Sequence, residues 1–276
     1  MKFKNMYLKV FFCSIVAFPI HVYAENVKIT DSNKFDLVNK KSNQNDSNWN
    51  EKNLDDYWEK RSDKEVQKKI IQLIESQSPV PQNFEIAWKI SRLASFCGNF
   101  GLGETLPNKE RAQIFLYGFN SADIAKQLES NRVEGYYWYA VNLGSYGIAK
   151  GVVTVLKNAA KGRDSLLLAI QIDPKYQWAG AYRVLGRYYD ELPEVVSFGD
   201  KKKAEMYLKK AVELAPEFRL NKIYLGNLYN QEGKKKEAKE LFLNAKKLPD
   251  VDGAEEEVHY KKLIELNLKE LKTGNK

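Results

Sequence analysis

Arg183 and Arg187 stand four residues apart, one helical turn, so their guanidinium groups share a face and could grip a carboxylate or phosphate through paired N–H donors. Aromatic and small polar residues that could complete such a site recur upstream: Trp88 with Ser91, then Tyr136, Trp138 and Asn142. Tyr182 adjoins the arginines, and Asn227 and Asn230 add amides further on. These ten residues describe a groove for an amphipathic acid, an apolar organic molecule or a peptide's carboxyl terminus, aromatic at one end and cationic at the other. A purely structural reading stands beside it, in which the aromatics pack helices together and the arginines pair with Asp190 or Glu191.

Covalent and metal chemistry find little material. Beyond residue 24 the chain holds one histidine, His259, expected to face solvent on a terminal helix, and one cysteine, Cys97, which reads as a small apolar core residue. A lone cysteine excludes an intramolecular disulfide, and one histidine cannot build a histidine-rich metal cluster. Gly98, Gly101 and Gly103 follow a helical segment rather than a strand, so the dinucleotide-binding fingerprint is not met and the stretch is a connector. No pair of acids stands out for general acid–base work. The expectation is a protein without cofactor, metal or catalytic residues, and therefore not an enzyme.

The start of the chain points to export. Lys2, Lys4 and Lys9 precede or open the apolar run Val10 to Ile20, and Val22-Tyr23-Ala24 supplies a cleavage site, the layout of a signal peptide over 1–24. Cys13 lies inside the apolar run without the neighbours of a lipid-attachment site, so no lipid anchor is expected and the protein should be periplasmic. Losing three lysines lowers the formal charge from +8 to +5. The basic residues are interleaved with acids, which describes solvated helix faces and not a nucleic-acid stripe. No later run is long and apolar enough to cross a membrane. Residues 25–50, rich in Asn, Ser, Lys and Asp, predict a flexible tether.

Residues 51–276 predict an all-α fold with an internal repeat. Order is expected from Leu54, with Trp58, Val66, Ile70, Ile71 and Ile74 on one helix near 54–76 that Pro79 and Pro81 stop. The clearest repeat, 219–252, places Leu225, Gly226 and Tyr229 on one helix and Ala238, Phe242 and Ala245 on the next, with Pro249 after it. These intervals resemble the tetratricopeptide repeat (TPR), in which small residues let two helices approach closely. Copies follow at 176–216, 133–174 and, most degenerate, 82–130. In the copy at 176–216, Tyr182 to Ala204 spans 22 positions against about 16 in the standard repeat, so intra-repeat loops are enlarged. A helix at 254–272 should cap the solenoid.

Particular motifs sharpen this: Asp55-Asp56-Tyr57-Trp58 with Arg61 and Asp63; Glu85-Ile86-Ala87-Trp88 with Arg92-Leu93-Ala94; Glu134 to Gly144; and Tyr182 to Gly186. Over roughly residues 54–250 the chain resembles the TatT family, periplasmic TPR proteins associated with tripartite ATP-independent periplasmic (TRAP) transporters. The resemblance implies a helical body with a cavity or groove, association with a TRAP substrate-binding component, and a role in passing small organic ligands. The other reading is a generic periplasmic TPR scaffold that recognises a peptide or helix of a partner. A homo-oligomer is compatible with either.

Overall fold

The first helix begins where Asn50 can cap it, its side chain accepting the N–H of Asn53. A computed structural model of the protein describes residues 49–76 and 78–273. The predicted signal peptide and all of the predicted tether but Trp49 and Asn50 lie outside them. Trp49 is already buried, its indole donating to the Tyr117 hydroxyl at 2.7 Å, so the described order starts before Leu54. The segment expected as one helix near 54–76 is two, α1 (Glu51–Glu59) and α2 (Lys64–Glu75). Asp63 is the reason: its carboxylate accepts the Glu65 N–H at 2.8 Å and starts a fresh helix after a turn.

Four helix pairs follow: α3 (Phe84–Asn99) with α4 (Asn108–Leu128), α5 (Val133–Lys150) with α6 (Val152–Ile172), α7 (Tyr176–Glu191) with α8 (Lys201–Leu214), and α9 (Arg219–Gln231) with α10 (Lys235–Lys246). The cap, α11, covers Ala254–Thr273. Among the described residues there is no strand. Ala204, Ala211, Ala238 and Ala245 are completely buried at the helix crossings, and a methyl group on Gly226 would come within 2.6 Å of the Phe242 ring. The surplus residues take two forms. Between α7 and α8 they form a loop at 192–200, whereas α5 and α6 absorb them as helix and meet at Gly151 alone. Gly151 has φ 105 and ψ 170, a region essentially open only to glycine.

The entry to α7 is unusual. Gln177, Trp178 and Ala179 are left-handed, with φ of 51, 53 and 57, at a cost of roughly 1–2 kcal/mol per residue. Arg183 offsets it by donating to the carbonyls of Gln177 (3.3 Å) and Trp178 (3.2 Å), and Asn221 donates to the Trp178 carbonyl as well (3.2 Å).

The array curls until its ends meet. Arg61, after α1, donates from Nε to Glu256 Oε1 of α11 at 2.8 Å, and its Nη2 lies 3.6 Å from Asp252. His259 Nδ1 is 3.0 Å from Glu104, and its ring stands edge-on to Phe100. His259 is therefore buried, contrary to the solvent-facing position expected from its isolation in the sequence. The cap buries it because α11 packs back onto the N-terminal half instead of merely covering α10.

Candidate functional site

The meeting of the two ends narrows the expected groove to a pocket of about 470 Å³ that remains partly open to solvent. Trp58 comes from α1 and Arg61 from the turn after it; α3 contributes Arg92 and Phe96; α5 contributes Tyr137, Trp138 and Val141. The far wall comes from Trp178, Arg183 and Val184 of α7, Phe218 and Tyr224 at α9, and Glu256 and Tyr260 of the cap. Six rings form a continuous chain around it. Trp58 meets Phe96 edge-on at 6.2 Å, Phe96 stacks on Phe100 at 5.6 Å, and Phe100 meets Tyr260 edge-on at 6.4 Å. Tyr260 then meets Phe218 at 5.9 Å, and Phe218 stacks on Trp178 at 4.7 Å with an interplanar angle of 3°. Each contact lies in the range where ring quadrupoles attract.

Three guanidinium groups line the cavity, in different states. Arg61 is engaged by Glu256, by Asp252 and by the Trp58 carbonyl at 2.9 Å. Arg183, also buried, donates to the Gln177 and Trp178 carbonyls, to Asn221 Oδ1 at 3.0 Å and to the Tyr137 hydroxyl at 3.3 Å, with Phe218 4.8 Å from its Cζ. Arg92 lies 4.0 Å from the Trp58 ring and 4.7 Å from the Trp88 ring, and its buried Nε has no hydrogen-bond partner among the described residues. Burial lowers the Arg92 pKa from its usual value to about 10, against the opposing influence of Tyr176 and Asp55. Asp55 itself is held by Lys89 at 2.8 Å. Burial, and then the neighbouring Asp252, raises the Glu256 carboxyl, while Arg61 opposes the rise.

The structure brings only Trp138 and Arg183 of the ten expected groove residues to the cavity wall. Trp138 donates its indole N–H to the Tyr176 hydroxyl at 3.0 Å. Arg187 binds Glu191, as the structural reading allowed, and lies over the Tyr224 ring at 4.3 Å. Ser91 and Asn142 are buried against each other: the Asn142 amide donates to the Ser91 carbonyl and hydroxyl, both at 3.0 Å, joining α3 to α5. Trp88 donates to Glu85 at 2.8 Å, Tyr136 to the Ser130 carbonyl at 3.1 Å, and Tyr182 packs near Tyr207. Asn227 and Asn230 sit half-buried on α9, outside the lining. Cys97 is wholly buried, and burial pushes its thiol far up, so it is inert. Among the described residues no cluster of three His, Cys, Asp or Glu side chains could hold a metal, and no helix is long and apolar enough to cross a membrane.

Arg61 and Arg92 were within reach of sequence reasoning. Each follows an indole by about one turn, Trp58 to Arg61 and Trp88 to Arg92, the spacing at which a cation can lie over a ring.

Helical hairpins with small residues at the crossings, stacked into a curved array and capped by one further helix, define an α-solenoid of the TPR type. A tetratricopeptide-repeat model matches residues 196–218. The chain belongs to the family described as Regulator of microtubule dynamics protein 1-3, whose model matches residues 52–198. Among solved structures, TTC0263, a thermophilic TPR protein of Thermus thermophilus, is 17% identical with a TM-score of 0.53, over 78% of this chain and 99% of that one. MamA is 19% identical with a TM-score of 0.41, over 65% of this chain and 84% of that one. At 17% identity the likeness to TTC0263 concerns the fold alone. No curated protein matches the sequence.

Proposed function

We propose that this protein is an exported, non-catalytic accessory scaffold whose helical-repeat body engages a protein partner while its cavity carries a small amphipathic or apolar organic ligand. The observation that carries this reading is the aromatic-walled pocket of about 470 Å³, partly open to solvent and within the usual size range of small-molecule sites. A TPR body is an interaction scaffold, and the resemblance to TatT names a TRAP-type substrate-binding component as the partner. The family description speaks of microtubule dynamics; the predicted signal peptide favours a partner outside the cytosol for this chain. Closure of the concave face by α11 weighs against a peptide lying along an open groove, the alternative that the repeat pattern alone would support.

The test is native mass spectrometry of the gently purified protein, with a pull-down from periplasmic extract. A small organic adduct that Val141→Trp abolishes, together with a TRAP substrate-binding component among the captured proteins, is the expected result. An adduct-free protein from its native host would overturn the ligand reading, and absence of that component from the captured set would overturn the partner reading.

A further inference from the structure

Resting on the ligand reading above, we infer that the cavity is specific for a flat aromatic monocarboxylate, whose carboxylate lies against Arg92 and whose ring enters the chain of aromatic side chains.

Charge comes first. Three guanidinium groups and two carboxylates, Asp252 and Glu256, line the space. Arg61 is matched by both acids, and Arg183 spends its donors on two carbonyls, an amide oxygen and a hydroxyl. The remaining positive charge is Arg92, whose neighbours Trp58 and Trp88 offer π faces but no acceptor for its in-plane N–H donors. The buried Nε of this guanidinium has no acceptor, a costly arrangement that a bound carboxylate relieves. One such anion neutralises the site. A dianion would leave an excess negative charge, and a cation would add to the existing one.

Shape comes second. Nine of the 21 lining residues are aromatic and only four (Val141, Val184, Leu220 and Val251) are aliphatic. Rings attract one another through offset and edge-on contacts that an alkyl chain cannot reciprocate. A planar ring system therefore gains on such walls what a flexible tail does not, and it loses less conformational freedom on entry.

The test is isothermal titration calorimetry of the purified protein at pH 7.5 with 2-naphthoate, its neutral analogue 2-naphthol, and laurate, for wild type and Arg92→Gln. Wild type should bind one 2-naphthoate at least tenfold tighter than either other probe. Arg92→Gln should weaken 2-naphthoate about tenfold or more and leave 2-naphthol within twofold. The naphthoate-to-naphthol ratio in wild type stands even if the variant folds poorly. Equal binding of naphthoate and naphthol, or a preference that survives Arg92→Gln, overturns the Arg92 assignment; laurate binding as tightly as naphthoate overturns the aromatic one. A native adduct without naphthoate binding sinks this inference alone, whereas a protein with neither sinks the ligand reading too.

Discussion

Arg61 and Glu256, 195 residues apart in the chain, meet with Nε and Oε1 2.8 Å apart and side chains only 12% and 4% exposed. Breaking one side of a pair this buried leaves an uncompensated charge, which costs about 3–5 kcal/mol. Arg61→Ala should therefore destabilise the protein by about that much in urea unfolding and speed amide exchange in α11. Glu256→Gln, which keeps an acceptor for Arg61, should cost clearly less. Equal stabilities for wild type and Arg61→Ala would show that the ends do not hold one another.

Arg183 was a candidate anion donor on sequence, yet its bonds hold the left-handed turn at 177–179. Arg183→Met should cost about 3 kcal/mol, since hydrogen bonds to a charged group are worth roughly 1.5–3 kcal/mol each and do not add fully. Gln177→Gly should be nearly neutral, because glycine accepts φ near 51 without penalty, while Gln177→Val should lose about 1–2 kcal/mol. Melting temperatures that rank the two Gln177 variants the other way would refute this account of the turn.

Glu191 gives a pH dependence. Burial raises its carboxyl from the ordinary value near 4.5 to about 7, although Arg187 pulls it back down. Between those values the folded protein holds a proton that the unfolded chain releases, so this group's contribution to stability falls as pH rises from about 4.5 to about 7. The full swing is at most about 3–4 kcal/mol, at roughly 1.4 kcal/mol per pH unit. Glu191→Gln should flatten that part of the stability profile. Parallel profiles for wild type and variant would contradict it.

The repeat register is tested by two tryptophans. Ala238 is completely buried while Lys236 is exposed, so Ala238→Trp should cost about 1–3 kcal/mol or more and Lys236→Trp almost nothing. Equal thermal midpoints would refute the register.

The fold was legible because its signals are local. Gly226 with Phe242, or Ala204 with Leu208 and Ala211, fall at fixed spacings within one hairpin, and the burial of these positions follows from that spacing. The site was less legible because it arises from curvature, which small rotations accumulate over several hairpins and no local pattern records. The groove expected from residue types and positions therefore included Trp138 and Arg183, which reach the wall, but also Ser91 and Asn142, which bond helix to helix. Arg187 went to its neighbour Glu191, a pairing visible at four-residue spacing. The burial of His259 depends on Glu104 and Phe100, far away in sequence.

The ring of side chains from Trp58 through Phe100 and Tyr260 to Trp178 also fixes how many hairpins this protein can have. An open solenoid is a sum of units and nearest-neighbour interfaces, so copies can be gained or lost by duplication with modest effect. Here the last helix must arrive opposite the first. One additional hairpin would carry Tyr260 away from Phe100 and Glu256 from Arg61, and one fewer would leave the same partners unable to reach. Repeat number, usually the freest variable in such an architecture, is locked, and sequence change is confined to substitution and to loops such as 192–200 that lie outside the closure.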